Sequence, residues 1–205
     1  MDRLDRQLNF ILAIDQLKNI RRQNLLLDGS RRENSAEHSW HLATAAMILA
    51  EYAREPVDMA KVLSMLLIHD VVEIDAGDTF VYDEKAAETK AEREEEAARR
   101  LFGLLPPDQA RWCRDLWEEF EARQTPEARF AAAVDRLMPI LLNARNGGYP
   151  WRRHGITARQ VLARNRTMAE GAPVLWERVQ EIVADALNRG LLYDDDFNSS
   201  GDSAP

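Results

Sequence analysis

Apolar residues recur at helical spacing along nearly the whole chain, and nowhere do they alternate strongly enough to mark a β-strand. That pattern points to an all-α fold, a single compact helical bundle. Leu4, Leu8, Ile11, Leu12 and Leu17 make a first amphipathic stretch, after which Arg21-Arg22-Gln23 and a turn around Asp28-Gly29-Ser30 break the pattern. Asn34 or Ser35 can cap a second helix, with Glu37 three residues after Asn34 in a capping box. Its face carries His38, Leu42, Ala45, Ile48 and Leu49, and Pro56 stops it. Asp58 starts a third helix, which contains the apolar run Val62-Leu63-Ser64-Met65-Leu66-Leu67-Ile68 and ends before Gly77.

The alternating charges from Asp83 to Leu101 read as a solvated helix face with i,i+4 pairs, closed by Gly103 and Pro106-Pro107. Another helix follows through Trp112, Leu116 and Phe120. Thr125-Pro126-Glu127 opens a helix carrying Asp135, which Pro139 is expected to kink. Asn146-Gly147-Gly148-Tyr149-Pro150 reads as a loop. Thr157 to Gln160 has capping-box form, the pattern is interrupted at Gly171-Ala172-Pro173, and the last helix runs from Val174 to Asn188, closed by Gly190.

At 205 residues the chain suits one domain, placed at residues 1–193, with an acidic and polar tail at 194–205 that is expected to be disordered. A net charge of -8 argues against non-specific nucleic-acid binding, yet leaves room for a small phosphorylated substrate in a local basic pocket. The lone Cys113 cannot form an intrachain disulfide and reads as an inert, buried thiol. No apolar run reaches the roughly 20 residues that span a bilayer, and the start is too short in apolar residues for a signal sequence. A cytoplasmic protein without membrane contact is the expectation.

The chemistry concentrates at His69-Asp70, which closes the apolar run and is followed by Glu73 on the same helical face. Imidazole and carboxylate are the ligands a divalent metal favours, and a metal acidifies water toward neutrality. A His-Asp dipeptide alone is common and would ordinarily be a solvated pair. Here it is joined by His38 on a preceding helix, by Glu73, and by Asp135 inside the apolar segment Phe130-Ala131-Ala132-Ala133-Val134. A carboxylate on such a face is costly to bury without a partner, which a metal would supply.

With Glu33-Asn34-Ser35-Ala36-Glu37-His38-Ser39 and His69-Asp70-Val71-Val72-Glu73-Ile74-Asp75-Ala76-Gly77-Asp78, completed by Asp135, the chain resembles the HD-domain metal-dependent phosphohydrolases. Among them it is most similar to the YfbR-like and HDDC2-like 5'-deoxynucleotidase group, over roughly residues 5 to 190. The resemblance implies an all-α HD-domain bundle holding one divalent metal ion (Co, Mn, Mg, Zn or Fe) on His38, His69, Asp70 and Asp135. It implies that Glu73 positions the attacking water or protonates the leaving oxygen, and that Asp78 assists near the sugar. It further implies a homodimer that hydrolyses (deoxy)nucleoside 5'-monophosphates to nucleoside and phosphate.

Arg21, Arg22, Arg31 and Arg32 cluster before His38, and of these Arg22, Arg31 and Arg32 are the candidates for gripping the phosphate, because arginine forks match its oxygens. Where the deoxynucleotidase group carries an Arg-Trp pair that excludes the ribose 2'-hydroxyl, this chain reads Arg22-Gln23, which puts deoxyribose selectivity in question. His41 reads as a packing residue and His154 as a surface residue. Gly148-Tyr149-Pro150 is a coincidental turn rather than a cyclic-dinucleotide signature, since the histidines that accompany that signature are missing. Competing readings keep the site but change the substrate to a nucleoside triphosphate or a non-nucleotide metabolite, or make the chain a non-catalytic binding protein. An oxygen-activating diiron centre would need more histidines than the four present.

Overall fold

The computed structural model describes residues 2–194. Helix α1 (Arg3–Ile14) begins at an Asp2 cap and leads through a short 3-10 turn into a hairpin of β1 (Arg21–Leu25) and β2 (Arg32–Asn34). Then come α2 (Ser35–Leu49), α3 (Met59–Ile68), a 3-10 turn over His69–Val72, α4 (Glu73–Ala76) and α5 (Glu84–Ala87). The chain continues with α6 (Lys90–Phe102), α7 (Pro107–Ala122), α8 (Pro126–Arg145), α9 (Tyr149–Arg153), α10 (Ala158–Asn165), α11 (Met168–Gly171) and α12 (Pro173–Asn188).

The hairpin corrects the expectation of a strand-free chain. Residues 21–25 are mostly polar, and only Asn24 of them is fully buried, so no alternation marks the strand. Its turn is nevertheless explicit: the Asp28 carboxylate accepts from the Ser30 amide, and Gly29 takes φ 71°. One further expectation shifts: Tyr149 and Pro150 open a short helix instead of lying in a loop. Helix α8 continues past Pro139 to Arg145. Pro139 offers no N–H to the Asp135 carbonyl one turn earlier, leaving the backbone there without its helical donor.

The local stop and start signals act as the residue types dictate. Asn34 and Glu37 form a reciprocal capping box, Asp58 accepts from the Ala60 and Lys61 amides, and Thr125 caps α8 ahead of Pro126. The alanines of α8 let its neighbours approach closely, and Phe130, Val134, Leu137 and Ile140 fill the space between α2, α3, α7 and α12. Gly171 shows how tight this is: a Cβ there would fall on the Arg129 carbonyl, so α11 can lie directly against α8. A second cluster, built on Phe10, Val72, Leu101, Phe102 and Trp117, packs the 69–76 segment against α6 and α7. Fully burying each of these large side chains stabilises by about 1.5–3 kcal/mol.

The first helix departs from its expected role. Leu4, Leu8, Ile11 and Leu12 are 48–70% exposed, while Phe10 and Leu17 carry the burial. Ile48, placed on the core face of α2 by its spacing, is 71% exposed. The charged segment is not wholly solvated either, since Glu94 is buried and pairs with Lys90. No described helix is long and apolar enough to cross a membrane. The expected disorder at 194–205 lies outside the described residues, apart from Asp194.

Candidate metal and active site

Three elements converge on one point. His38 lies on the first turn of α2, just after its cap; His69 and Asp70 sit where α3 tightens into the 3-10 turn; Asp135 lies midway along α8. One ligand atom each from His38, His69 and Asp135 lies within 4.8 Å of the other two. His38 Nε2 is 2.9 Å from Asp135 Oδ1, and His69 Nε2 is 3.9 Å from the same oxygen.

The hydrogen bonds fix which nitrogen is available. His69 Nδ1–H donates to the Leu66 carbonyl at 3.0 Å, which leaves the lone pair on Nε2. That Nε2 is buried, without a hydrogen-bond donor of its own, 3.0 Å from Asp70 Oδ1. On the other imidazole, Nδ1 faces the buried Glu33 carboxylate at 3.4 Å. An imidazole oriented by a carboxylate on its remote nitrogen is the arrangement that supports metal ligation. A buried, unengaged nitrogen beside two carboxylates therefore fits a divalent ion held by His38, His69 and Asp135.

Asp70 is the member of the expected four that stands apart from this group. Its Oδ2 accepts from Arg22 Nη1 at 2.9 Å, and the same nitrogen lies 3.8 Å from both Glu73 Oε1 and Asp78 Oδ1. One guanidinium thus faces three carboxylates whose side chains, like its own, are 9–13% exposed. Burial works against the Arg22 cation, but Asp70, Asp78, Glu73 and Asp135 outweigh it and hold its pKa above the ordinary value.

Burial and the Arg22 charge also oppose protonation of His38. The Asp135 and Glu33 carboxylates prevail and lift its pKa to about 9. Burial likewise raises the Asp135 carboxyl, yet the His38 hydrogen bond and the His38, His69 and Arg22 charges carry it well below the usual carboxylate range. Glu73 shifts the other way, pushed up by burial and by Asp70 against the pull of Arg22. Ser35 Oγ donates to Glu73 Oε2 at 2.6 Å and sets its orientation. Burial and Asp70 raise Asp78 too.

Beside this cluster opens a cavity of about 120 Å3 whose walls include Arg22, Asp78 and Asp135, together with Gln23, Phe80 and Trp151. The Asn24 and Asn143 amides meet at 2.8 Å on its floor. Of the three candidate phosphate-binding arginines, Arg22 stands at the cavity. Arg31 is exposed and pairs with Glu37, and Arg32 does not line the cavity. His41 stacks on Trp40, and exposed His154 lies against Phe80 at 4.7 Å between ring centres, so neither joins the three-residue group. Cys113 is buried, as its setting indicated.

Sequence reasoning passed over Glu33, Ser35, Asn24, Asn143 and the aromatic wall. Glu33 stands five residues before His38 on the partner strand of the hairpin, and a paired strand there would have turned it toward the imidazole. Asn24 and Asn143 are 119 residues apart and carry no local signal.

A family model for the HD domain matches residues 14–176. The 5'-deoxynucleotidase HDDC2 of Homo sapiens is 30% identical over 135 residues, 65% of either chain, so the chain spans about two thirds of the length of the curated relatives it matches. The crystal structure of a predicted metal-dependent phosphohydrolase from Magnetospirillum magnetotacticum MS-1 superposes with a TM-score of 0.89 at 53% identity, covering 93% of this chain and 95% of that one. An HD-domain phosphohydrolase from Listeria innocua shares the fold at a TM-score of 0.56 and 17% identity, covering 93% and 92% of the two chains. With the family pattern matched from the end of α1 into α12, and with His38, His69 and Asp135 gathered at one point, this chain belongs to the HD-domain family.

Proposed function

We propose that the chain is a metal-dependent phosphomonoesterase that cleaves (deoxy)nucleoside 5'-monophosphates into nucleoside and orthophosphate. The observation that carries this reading is His69 Nε2. It is buried, committed to no donor, and aimed at Asp135 and Asp70 beside a cavity headed by an arginine. The names carried by the HDDC2 relatives and by the Magnetospirillum structure support it.

His38, His69 and Asp135 would hold the ion, with Asp70 as the fourth ligand once Arg22 releases it. An ion bound there supplies charge neutralisation at the phosphoryl oxygens and acidifies a water. Arg22 exchanges the Asp70 carboxylate for phosphoryl oxygens, which its fork fits bidentately. Water attacks phosphorus, the P–O5' bond breaks, and the nucleoside leaves as its 5'-hydroxyl after taking up a proton. Glu73, steadied by Ser35, is placed to move that proton, and Asp78 stands at the cavity wall beside the sugar. Phe80 and Trp151 offer the nucleoside an apolar wall, and with Gln23 rather than an aromatic residue in the cavity wall both ribose and deoxyribose esters are candidate substrates.

The homodimer implied by the resemblance belongs to the same proposal. The exposed ridge of Leu4, Leu8, Ile11 and Leu12 on α1 is an apolar surface open to a second copy. Sedimentation at a single 23.5 kDa mass would remove this part.

The test is orthophosphate release across ribo- and deoxynucleoside 5'-monophosphates, with cobalt, manganese, magnesium, zinc and iron(II) added to chelator-stripped protein. Metal-dependent release from monophosphates is expected. Release only from a non-nucleotide ester, tripolyphosphate from nucleoside triphosphates, or no release at all would overturn the assignment.

A further inference from the structure

Two elements carry polar groups into the cavity in the same order. Strand β1 presents Arg22 and then, two residues on and on the same face, Asn24; helix α8 presents Asp135 and then, two turns on, Asn143. The Arg22 and Asp135 charges act on one another, and the Asn24 and Asn143 amides meet. The metal cluster and the arginine therefore stand at one end of the cavity and a pair of amides at the other. The helix between Asp135 and Asn143 rises about 12 Å, a length that a phosphate, a pentose and a base fill in line.

The surroundings fix which way each amide points. The Pro139 carbonyl can only accept, so it is the Asn24 side-chain nitrogen that faces it, at 3.3 Å. The same nitrogen donates to Asn143 Oδ1 at 2.8 Å. This tie between the hairpin and α8 uses both hydrogens of Asn24 Nδ2 and the oxygen of Asn143. It leaves Asn24 Oδ1 as an acceptor and Asn143 Nδ2 as a donor, neither with a hydrogen-bond partner among the described residues. The two residues are only 8% and 6% exposed. Even so, neither free atom is sealed in as Asn146 Oδ1 is, and both residues line the cavity. An acceptor beside a donor, held in a nearly dry wall, costs stability until a ligand or water meets it.

We propose that Asn24 and Asn143 read the hydrogen-bonding edge of a nucleobase. Asn24 Oδ1 accepts from an N–H of the base, and Asn143 Nδ2 donates to the carbonyl or ring nitrogen beside it. Side-chain amides match base edges through such a donor-and-acceptor pair. Phe80 and Trp151 line the same cavity and supply aromatic surface of the kind against which bases pack. The inference rests on the hydrolytic reading only in placing the phosphate at the Arg22 end. It makes the base a recognised part of the ligand, so the cavity selects a nucleotide over a base-free sugar phosphate.

The experiment measures binding by calorimetry on the full chain stripped of metal by chelator, so that it needs no turnover. Three probes are compared. Uridine 5'-monophosphate has an imide N–H flanked by two carbonyls and meets the pair in either orientation. Ribose 5-phosphate lacks the base, and 3-methyluridine 5'-monophosphate carries a methyl in place of the imide hydrogen. Uridine 5'-monophosphate should bind at least tenfold tighter than either of the others, the worth of about two hydrogen bonds. Asn143→Asp keeps the oxygen that holds Asn24 and loses the donor. In this variant, folded by circular dichroism, nucleotide affinity should fall at least tenfold while that for ribose 5-phosphate changes far less. A merely structural role would lower both together.

Equal wild-type affinity for uridine 5'-monophosphate and ribose 5-phosphate, or for the methylated and unmethylated nucleotides, would overturn the proposal. So would a parallel loss of both ligands in folded Asn143→Asp. The methylated nucleotide tests the unaltered chain, so the outcome does not hang on the variant. Absence of phosphate release in the turnover assay would remove the hydrolytic reading and leave this comparison standing, whereas equal binding here would remove base reading and leave turnover untouched.

Discussion

Replacing Arg22 with methionine would remove one cation from three carboxylates at once. Its Nη1 lies 2.9 Å from Asp70 Oδ2 and 3.8 Å from Glu73 Oε1 and Asp78 Oδ1, all in a setting with little water. At an effective dielectric near 20, the closest pair alone is worth about 6 kcal/mol before desolvation. Restoring water to the guanidinium in the unfolded chain offsets part of that. The net loss in metal-free protein should be about 3–5 kcal/mol, the usual cost of removing one member of a buried pair. For a chain of this length that corresponds to a fall of about 10 °C in unfolding midpoint. A divalent ion would supply positive charge to the same carboxylates, so reloading should raise the midpoint of Arg22→Met more than that of the wild type. Phosphate release should still fall roughly 10- to 100-fold, the loss of one charge-assisted contact worth about 1.5–3 kcal/mol. Scanning calorimetry on stripped and reloaded protein, paired with kcat/KM, reads both effects. A stripped variant within about 2 °C of wild type, or one that gains no more from metal than wild type does, would refute the reasoning.

Glu73→Gln keeps the shape that meets Ser35 but cannot carry a proton, so kcat should drop by about 100-fold or more with bound metal unchanged, as metal analysis beside steady-state kinetics would read. His38 titrates in the folded, metal-free chain at about 9, above its unfolded value of about 6.5. Its contribution to stability is complete below pH 6.5 and is lost as pH rises through 9. The unfolding midpoint of stripped protein should therefore decline over that window, less so in His38→Gln; identical profiles would contradict the pairing. Burial pushes the Cys113 thiol up to about 11, leaving about one part in a thousand as thiolate at pH 8. Alkylation in native buffer should then be no faster than unfolding, and rapid labelling would contradict its buried position.

What was legible in the sequence is what neighbouring residues decide among themselves. Asn34 with Glu37, Asp58, Thr125 with Pro126, and Thr157 with Gln160 each mark a helix start because the cap and its target amides lie within three residues. The histidines and aspartates were legible for a different reason: charged and imidazole groups on apolar faces require a partner. The β1–β2 hairpin was not, because its strand buries Asn24 and half-buries Arg22 against α8 and the carboxylates, and polar residues facing polar partners leave no alternation. The Asp28-Gly29 turn was the available signal for it. The α1 ridge shows the opposite failure, since helical spacing identifies an apolar face but not what covers it. The Arg22–Asp70 contact joins residues 48 apart and carries no local signal, so the arginine's hold on Asp70 beside the gathered His38, His69 and Asp135 could not be read from spacing.

Metal content and turnover measured on the same samples test the central claim most directly. Wild-type protein reloaded after chelation should hold one divalent ion per chain and release phosphate from nucleoside 5'-monophosphates. His69→Ala and Asp135→Ala, folded by circular dichroism, should lose both the ion and the release together. Stripped wild-type protein that turns over at the reloaded rate, or a His69→Ala variant that keeps its ion and its activity, would contradict the account.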